Sequence, residues 1–343
     1  MDRPGQRGIA LITALLVVAL AAIAAAAILT SANHAIHRAQ NLQDSEKAWW
    51  YADGVEAWVK SILERDLENK DGIDSLKDDW ARPVDYLPID EGALRGGVID
   101  LQGRYNLNNL SRLPDKPDPQ HPDPQRDIFL RLVQNIQDAP GQRGTAAQMS
   151  GQELFARIRD WTDKDSEVTG ADGAEDSDYL GGQFQYRVPN RPMADISELL
   201  AIKGMTKELY QQLLCCVTTL PQAGTPVNIN TAPEPVLRAL VAKPTPQLDA
   251  FVSEREDKPA TTPDPLMFGG ADAPAAMLAT KSEFFMLRAD IAVGGSRLLL
   301  NSTIHRPYKG HPAVIARSTN VDGPALTPAP ASSQPGAAPA PGP

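Results

Sequence analysis

Residues 1–31 read MDRPGQRGIALITALLVVALAAIAAAAILTS, and the apolar run from Ile9 to Leu29, interrupted only by Thr13, decides how the rest of the chain is folded. A run of about 20 apolar residues crosses a bilayer as one helix, whereas a secretory signal carries a shorter apolar core followed by a small-residue cleavage site. The length favours a retained span. The Ala-rich end, AIAAAAILTS, keeps cleavage by signal peptidase as the alternative. Neither Pro nor Gly follows until Gly54, and Ala48, Tyr51, Val55, Trp58 and Ile62 recur at helical spacing. The expectation is one helix from about Ile9 to about Leu67, on the order of 90 Å long at 1.5 Å per residue, half in lipid and half packed on a soluble head. Gly54 is its weak point. Arg3 and Arg7 flank the run and hold the leader on the cytoplasmic side, which leaves everything after the span periplasmic.

Composition narrows the function. The 343 residues allow two or three domains, and the net charge of -10 argues against broad binding to nucleic acid. Five His occur, and none lies in an H-E-x-x-H or beside a G-x-S-x-G motif. The chain therefore reads as a non-enzyme. Cys215 and Cys216 are adjacent and read as two small buried apolar residues, with a vicinal disulfide as the alternative.

The segment GGVIDLQGRYNLNNL (96–110) reads as strand, Gly turn, strand. SEFFMLRADIAVGGSRLLLNSTIHR (282–306) reads as a hairpin about Gly294 and Gly295, and PAVIARST as a last edge strand. Together they make one antiparallel sheet on the long helix. Between them an insert, 111–279, opens with a Pro/Asp loop and turns helical, with S-x-x-E capping boxes at Ser150/Glu153 and Thr231/Glu234. ISELLAIKGMTKELYQQLL and VNINTAPEPVLRALV look like helix-hairpin-helix units, which in some proteins bind DNA phosphates through backbone amides. From Asp195 to Glu256 seven acids face five Lys and Arg, so these units read as packing elements rather than a nucleic-acid site.

The loop DWTDKDSEVTGADGAEDSDYL carries the strongest chemical signal. Asp160, Asp163, Asp165, Glu167, Asp172, Glu175, Asp176 and Asp178 face the single base Lys164, and Gly170 and Gly173 permit sharp turns. Such density calls for solvation or a bridging cation, and Ca²⁺ takes six to eight oxygens in irregular geometry. Val168 and Ala174 exclude an EF-hand. A solvated acidic loop is the alternative.

Gly8 immediately before the apolar run, and the run itself, resemble the class III signal of type IV pilins and type II secretion pseudopilins. The resemblance implies that prepilin peptidase cuts between Gly8 and Ile9 and methylates Ile9. Most such subunits carry Glu at the fifth mature position, where Thr13 stands here. With 96–110 and the insert, that departure resembles the K-type minor pseudopilins. The implied fold is α+β: a pseudopilin head, with its long N-terminal helix on a small antiparallel sheet, carrying a large all-α insert of SAM-like units. The implied organisation is a leader (1–8), a transmembrane part (9–30), a stalk and first part of the sheet (31–110), the insert (111–279) with its acidic loop (160–178), the remaining strands (280–320) and a disordered Pro/Ala-rich tail (321–343). The resemblance further implies structural calcium, with Asp163, Asp165, Glu175 and Asp176 as leading ligands and Asp160, Glu167 and Asp178 behind them. It implies an inner-membrane anchor, a place at the pseudopilus tip with I-type and J-type minor pseudopilins, and contact with the major pseudopilin and the assembly platform. Secreted exoproteins and the secretin are further implied partners. A DNA-binding minor pilin or competence pseudopilin is the rival, as is a secreted calcium-dependent module.

Overall fold

The first element is a single helix, α1, spanning Arg7–Leu67. The computed structural model describes residues 7–68, 72–113, 123–139, 149–181, 185–268 and 275–319. The start of the leader, most of the Pro/Asp loop and the Pro/Ala-rich tail lie outside the described residues. Two strands follow α1, β1 (Val84–Ile89) and β2 (Gly92–Asp100). A long excursion then carries β3 (Tyr105–Asn106), α2 (Pro124–Gln137), α3 (Gly151–Thr162), α4 (Asp176–Leu180) and α5 (Lys207–Leu213). It continues through β4 (Val217–Thr218), β5 (Val227–Asn228), α6 (Glu234–Ala239), α7 (Pro246–Glu254) and β6 (Leu278–Ala279). The chain returns as β7 (Phe284–Val293), β8 (Ser296–His305) and β9 (Ala313–Ser318).

The head is an antiparallel sheet in the order β1-β2-β7-β8-β9, with the second half of α1 across one face. Alternation does the sorting: Phe285, Leu287, Ala289, Ile291 and Val293 all point to α1, as a period of two requires. They meet Ala48, Ala52, Val59 and Leu63, whereas Trp58, placed by its spacing on the same stripe, is half exposed at the margin. α1 runs unbroken through Gly54, where a Cβ would meet nothing within 4 Å. The expected hairpin joins β7 to β8. At its tip Gly294 has φ +52°, and a Cβ there would lie 2.3 Å from the Asp44 carboxylate. Asp44 in turn accepts a hydrogen bond of 3.0 Å from Gly295 N, which fastens the hairpin to α1.

The excursion has its own core, in which Phe129, Leu132, Leu154, Ile158, Leu209 and Leu237 are buried. It departs from the expected organisation in three ways. The strand expected after the Gly turn is only two residues long, because Leu107–Arg112 coil into a 3-10 helix whose first four residues are buried. That short strand, β3, pairs in parallel with β4, and β5 pairs in parallel with β6, so strand pairs interleave with the helices. The first helix-hairpin-helix segment opens with a 3-10 helix, Ile196–Ala201, rather than an α-helix.

The cap at Ser150 is present, its Oγ accepting from Glu153 N at 3.1 Å. Thr231 is not a cap: its hydroxyl donates to Asp100 at 2.6 Å, while Pro233 precedes α6. Cys215 and Cys216 are joined in a vicinal disulfide, the alternative to two buried apolar residues, with Cys216 buried and Cys215 exposed.

Glu56 is the one buried acid in the face of α1 that meets β8 and β9. Ser302 Oγ donates to it at 2.6 Å and Arg317 Nε at 2.8 Å. Burial pushes its carboxyl up, but the hydrogen bonds from Arg317 and Ser302 outweigh burial and hold it below the ordinary glutamate range. A carboxyl lowered by folding stabilises the fold above its unfolded pKa, and that stabilisation disappears as pH falls through the folded value. Glu56→Gln is therefore expected to cost about 1 kcal/mol at neutral pH, and the gap from wild type should close below about pH 4, as read by urea unfolding of the detergent-solubilised chain.

Candidate metal centre

α3 delivers the acidic loop. Leu154, Phe155, Ile158 and Trp161 turn one face of the helix into the insert core, and the last turn carries Asp160 and Asp163 to the loop's mouth. Asp160 is fully buried and acts as a fastener, accepting from Thr169 N at 2.9 Å and Ala174 N at 2.7 Å. These two bonds draw the far limb of the loop back beside α3. Gly173 is required there: a Cβ would lie 2.2 Å from Asp160 Oδ2 and 2.8 Å from Thr169 N.

The closure brings Asp163, Asp165 and Glu175 together, with one carboxylate oxygen from each lying within 4.8 Å of the others. Asp163 Oδ1 and both side-chain oxygens of Glu175 are buried and have no hydrogen-bond partner among the described residues. The nearest fixed cation is Arg159, whose Nε stands 3.5 Å from Asp163 Oδ2. Burial pushes the Asp163 carboxyl up to about 6, with the charge of Asp165 adding to it and Arg159 opposing. Burial, then the charges of Asp160 and Asp163, push Glu175 up to about 7. Orphaned carboxylate oxygens, like charges crowded together and an irregular loop suit a hard cation with oxygen ligands.

Two of the remaining acids of the loop are engaged elsewhere. Asp176, expected among the leading ligands, accepts from Val188 N at 2.9 Å and faces Arg187 at 3.7 Å. Asp178 accepts from Lys203 Nζ at 2.6 Å, and that bond holds its carboxyl below the ordinary range. Glu167 is exposed, and its backbone N–H donates to Asp165 Oδ1 at 2.8 Å. Sequence reasoning missed Asn190, whose Nδ2 donates to Asp165 O across 25 residues and whose Oδ1 is buried without a partner among the described residues. A count of acids cannot find a neutral amide. Its one signal is the turn VPNRP, where Asn190 takes φ +45°. The amide turn of the first helix-hairpin-helix segment is already covered, because Arg157 Nη1 donates to Lys203 O at 2.5 Å and lies over Gly204.

Comparison with known proteins points in one direction. A family profile described as type II secretion system (T2SS), protein K, matches residues 103–222, which include the whole acidic loop. The chain is similar to the type II secretion system protein K of Pseudomonas aeruginosa, at 34% identity over 94% of this chain and 95% of that one. The protein K of Aeromonas hydrophila is 31% identical over 92% of this chain and 97% of its own length. Among solved structures, a chain of the GspK-GspI-GspJ complex from enterotoxigenic Escherichia coli superposes with TM-score 0.66 at 26% identity, covering 83% of this chain and all of that one. These relatives are named as components of a secretion system, not as enzymes.

Gly173→Ala tests the loop closure independently of any ion. The methyl group has to displace the Asp160 carboxylate or the Thr169 backbone, with an expected loss of about 1–3 kcal/mol and faster proteolysis between 163 and 175. Gly170→Ala, at φ +66° but with nothing within 4 Å of a Cβ, should cost less and leave Asp160 in place.

Proposed function

This chain belongs to the type II secretion protein K family of minor pseudopilins, and from that membership we propose that it caps the pseudopilus and primes its assembly in the inner membrane. What carries the proposal is the pairing of full-length similarity with the form of α1. Among the described residues α1 is the one helix long and apolar enough to span a membrane, and Leu11, Leu15, Leu16, Val18 and Ile23 are all more than half exposed. Such a surface demands lipid, or the helices of neighbouring subunits, as its solvent.

In this proposal Gly8 and Ile9 bound the prepilin peptidase cut, and the head and insert stand in the periplasm. Thr13 replaces the acid that would neutralise a neighbour's terminal amine, which suits a subunit above which no further subunit stacks. The insert would obstruct a subunit stacked over it. The solved complex of GspK with GspI and GspJ supports I-type and J-type minor pseudopilins as partners. The major pseudopilin, the assembly platform, the secretin and the exported proteins follow from the role. So does the pseudopilus acting as a piston for folded exoproteins.

Calcium, held by Asp163, Asp165 and Glu175 with Asp160 setting the loop, completes the proposal as a structural ion. The ion would neutralise the crowded carboxylates and fix a loop that has few apolar residues of its own.

Two measurements test these readings separately. Mass spectrometry of the N-terminal peptide, from protein expressed with its native secretion machinery, is expected to show a chain beginning at N-methylated Ile9. A start beyond Ala27 would remove the anchor and the tip role together. For the ion, Ca²⁺ at a hundredfold excess over Kd should stabilise the solubilised chain by about 2.7 kcal/mol. Glu175→Gln and Asp163→Asn should abolish most of that gain. An unchanged melting temperature of the wild type in Ca²⁺ would rule the ion out and leave the tip role standing.

A further inference from the structure

A second cluster of carboxylates lies outside the acidic loop, at the neck where the insert leaves and rejoins the head. Asp66 ends α1, Asp74 lies on the segment leading to β1, and Asp78 immediately precedes a 3-10 helix at Asp79–Ala81. One carboxylate oxygen from each lies within 4.8 Å of the others. Arg306, just beyond β8 and 1% exposed, reaches all sides of the neck. Its Nη2 donates to both oxygens of Asp74 at 2.5 and 2.6 Å and to Ser282 O at 2.8 Å, and its Nη1 to Asp66 at 3.0 Å. Its plane covers the Phe285 ring at 4.6 Å. Asp74 also accepts from Ser282 N at 2.6 Å. Ser282 Oγ, Thr231 Oγ1 and Asn228 Nδ2 converge on the fully buried Asp100 at 2.6, 2.6 and 2.9 Å. Every crossing of the chain between head and insert is thus tied into one buried polar seam.

The charges in that seam do not balance. Asp66, Asp74, Asp78 and Asp100 face Arg306, with Arg104 behind Asp100. At the rim stand Glu283 paired with His305 at 4.0 Å, Tyr308, and Lys281 over Gly72. Several ionised carboxylates around a single buried guanidinium are unfavourable, and the nearest remedy is to retain protons. One oxygen each of Asp66, Asp74 and Asp78 lie within 4.8 Å of one another, so a proton kept by Asp66 relieves the repulsion of its neighbours.

We propose that the neck is a proton-responsive joint, in which a proton kept by Asp66 beside Asp74, Asp78 and Arg306 fastens the base of the insert to the end of α1, and its loss loosens that fastening. The cluster is not assigned as a cation site. Arg306 already occupies the position an ion would take, and the oxygens of Asp78 are engaged by Ser75 N at 2.7 Å, Ser75 Oγ at 3.2 Å and Trp80 Nε1 at 3.2 Å.

Burial, then the charges of Asp78 and Asp74, push the Asp66 carboxyl up to about 7, with Arg306 opposing. A carboxyl raised by folding holds its proton in the closed state but loses it near pH 3.9 when the neck opens. The protection it confers therefore declines as pH rises from about 4 and levels off above the folded value. For this pair of pKa values the opening equilibrium rises about tenfold between pH 6 and pH 8 and is flat beyond.

Hydrogen exchange on the full chain in detergent micelles tests this, after correction for the intrinsic pH dependence of exchange. The amides of 74–82 and 280–283 should open about tenfold more at pH 8 than at pH 6, whereas those in the core of α2 and α3 should not change. Asp66→Asn keeps the shape and a donor but cannot ionise, and should remove the pH step while retaining the protection of pH 6. Equal opening of the wild-type neck at the two pH values would overturn the proposal. So would an undiminished step in Asp66→Asn.

Discussion

One helix has to satisfy two solvents. Hydrocarbon offers no hydrogen-bond partner, so the membrane-spanning part of α1 must pair its own backbone groups from turn to turn. The sheet imposes a different demand, a stripe of small and branched residues. Ala48, Ala52, Val59 and Leu63 meet it, the two alanines letting β7 and β8 lie close against the helix. The absence of Pro between Ile9 and Leu67 lets both demands be met along one axis. The end of that axis is joined to the neck by the ion pair of Asp66 with Arg306.

The neck follows from topology. An insert placed between two neighbouring strands, β2 and β7, must leave and return through one narrow opening, where backbone bonds such as Leu101 N to Phe284 O and Asn228 N to Gln102 O leave other groups without a ladder partner. Polar side chains supply further partners. Asp100 accepts from the backbone of Gln102 and from three side chains, and Asn228 donates to Asp74 O at 3.2 Å as well as to Asp100. The cost of burying these groups is contained because nearly all find partners.

The parts of the fold that were legible in the sequence are those written as local pattern. The long helix, the hairpin about Gly294 and the Ser150 cap each depend on residues close together in the chain. β1 went unnoticed because VDYLPI contains Pro and is exposed over most of its length, as suits an edge strand. The segment YNLNNL looked like a strand because nothing local distinguishes a 3-10 turn that buries Asn106, Asn108 and Asn109. Their amide groups are satisfied largely by partners far along the chain, such as Met193, Leu220 and Thr225. Arg306 was read as the end of a strand for the same reason. In the acidic loop, sequence density marked the region but not the ligand set. Asp163 and Glu175 stand apart from Asp176 and Asp178 through the positions of Val188 and Lys203, which no spacing rule contains.

The two acidic clusters pose the same physical problem with different remedies. Each gathers three carboxylates within 4.8 Å, two of them buried in the loop, where Asp165 is exposed, and one buried between two half-buried ones at the neck. At the neck the chain supplies its own cation, Arg306, in direct contact with Asp66 and Asp74. In the loop cluster Arg159 stands 3.5 Å from one oxygen of Asp163, and both oxygens of Glu175 are left without a donor among the described residues. A buried carboxylate without a donor is costly, and the loop has too few apolar residues to offset that cost by packing. A divalent cation would engage oxygens that protons alone leave without partners among the described residues, which is why calcium is proposed for the loop and a proton kept by Asp66 for the neck.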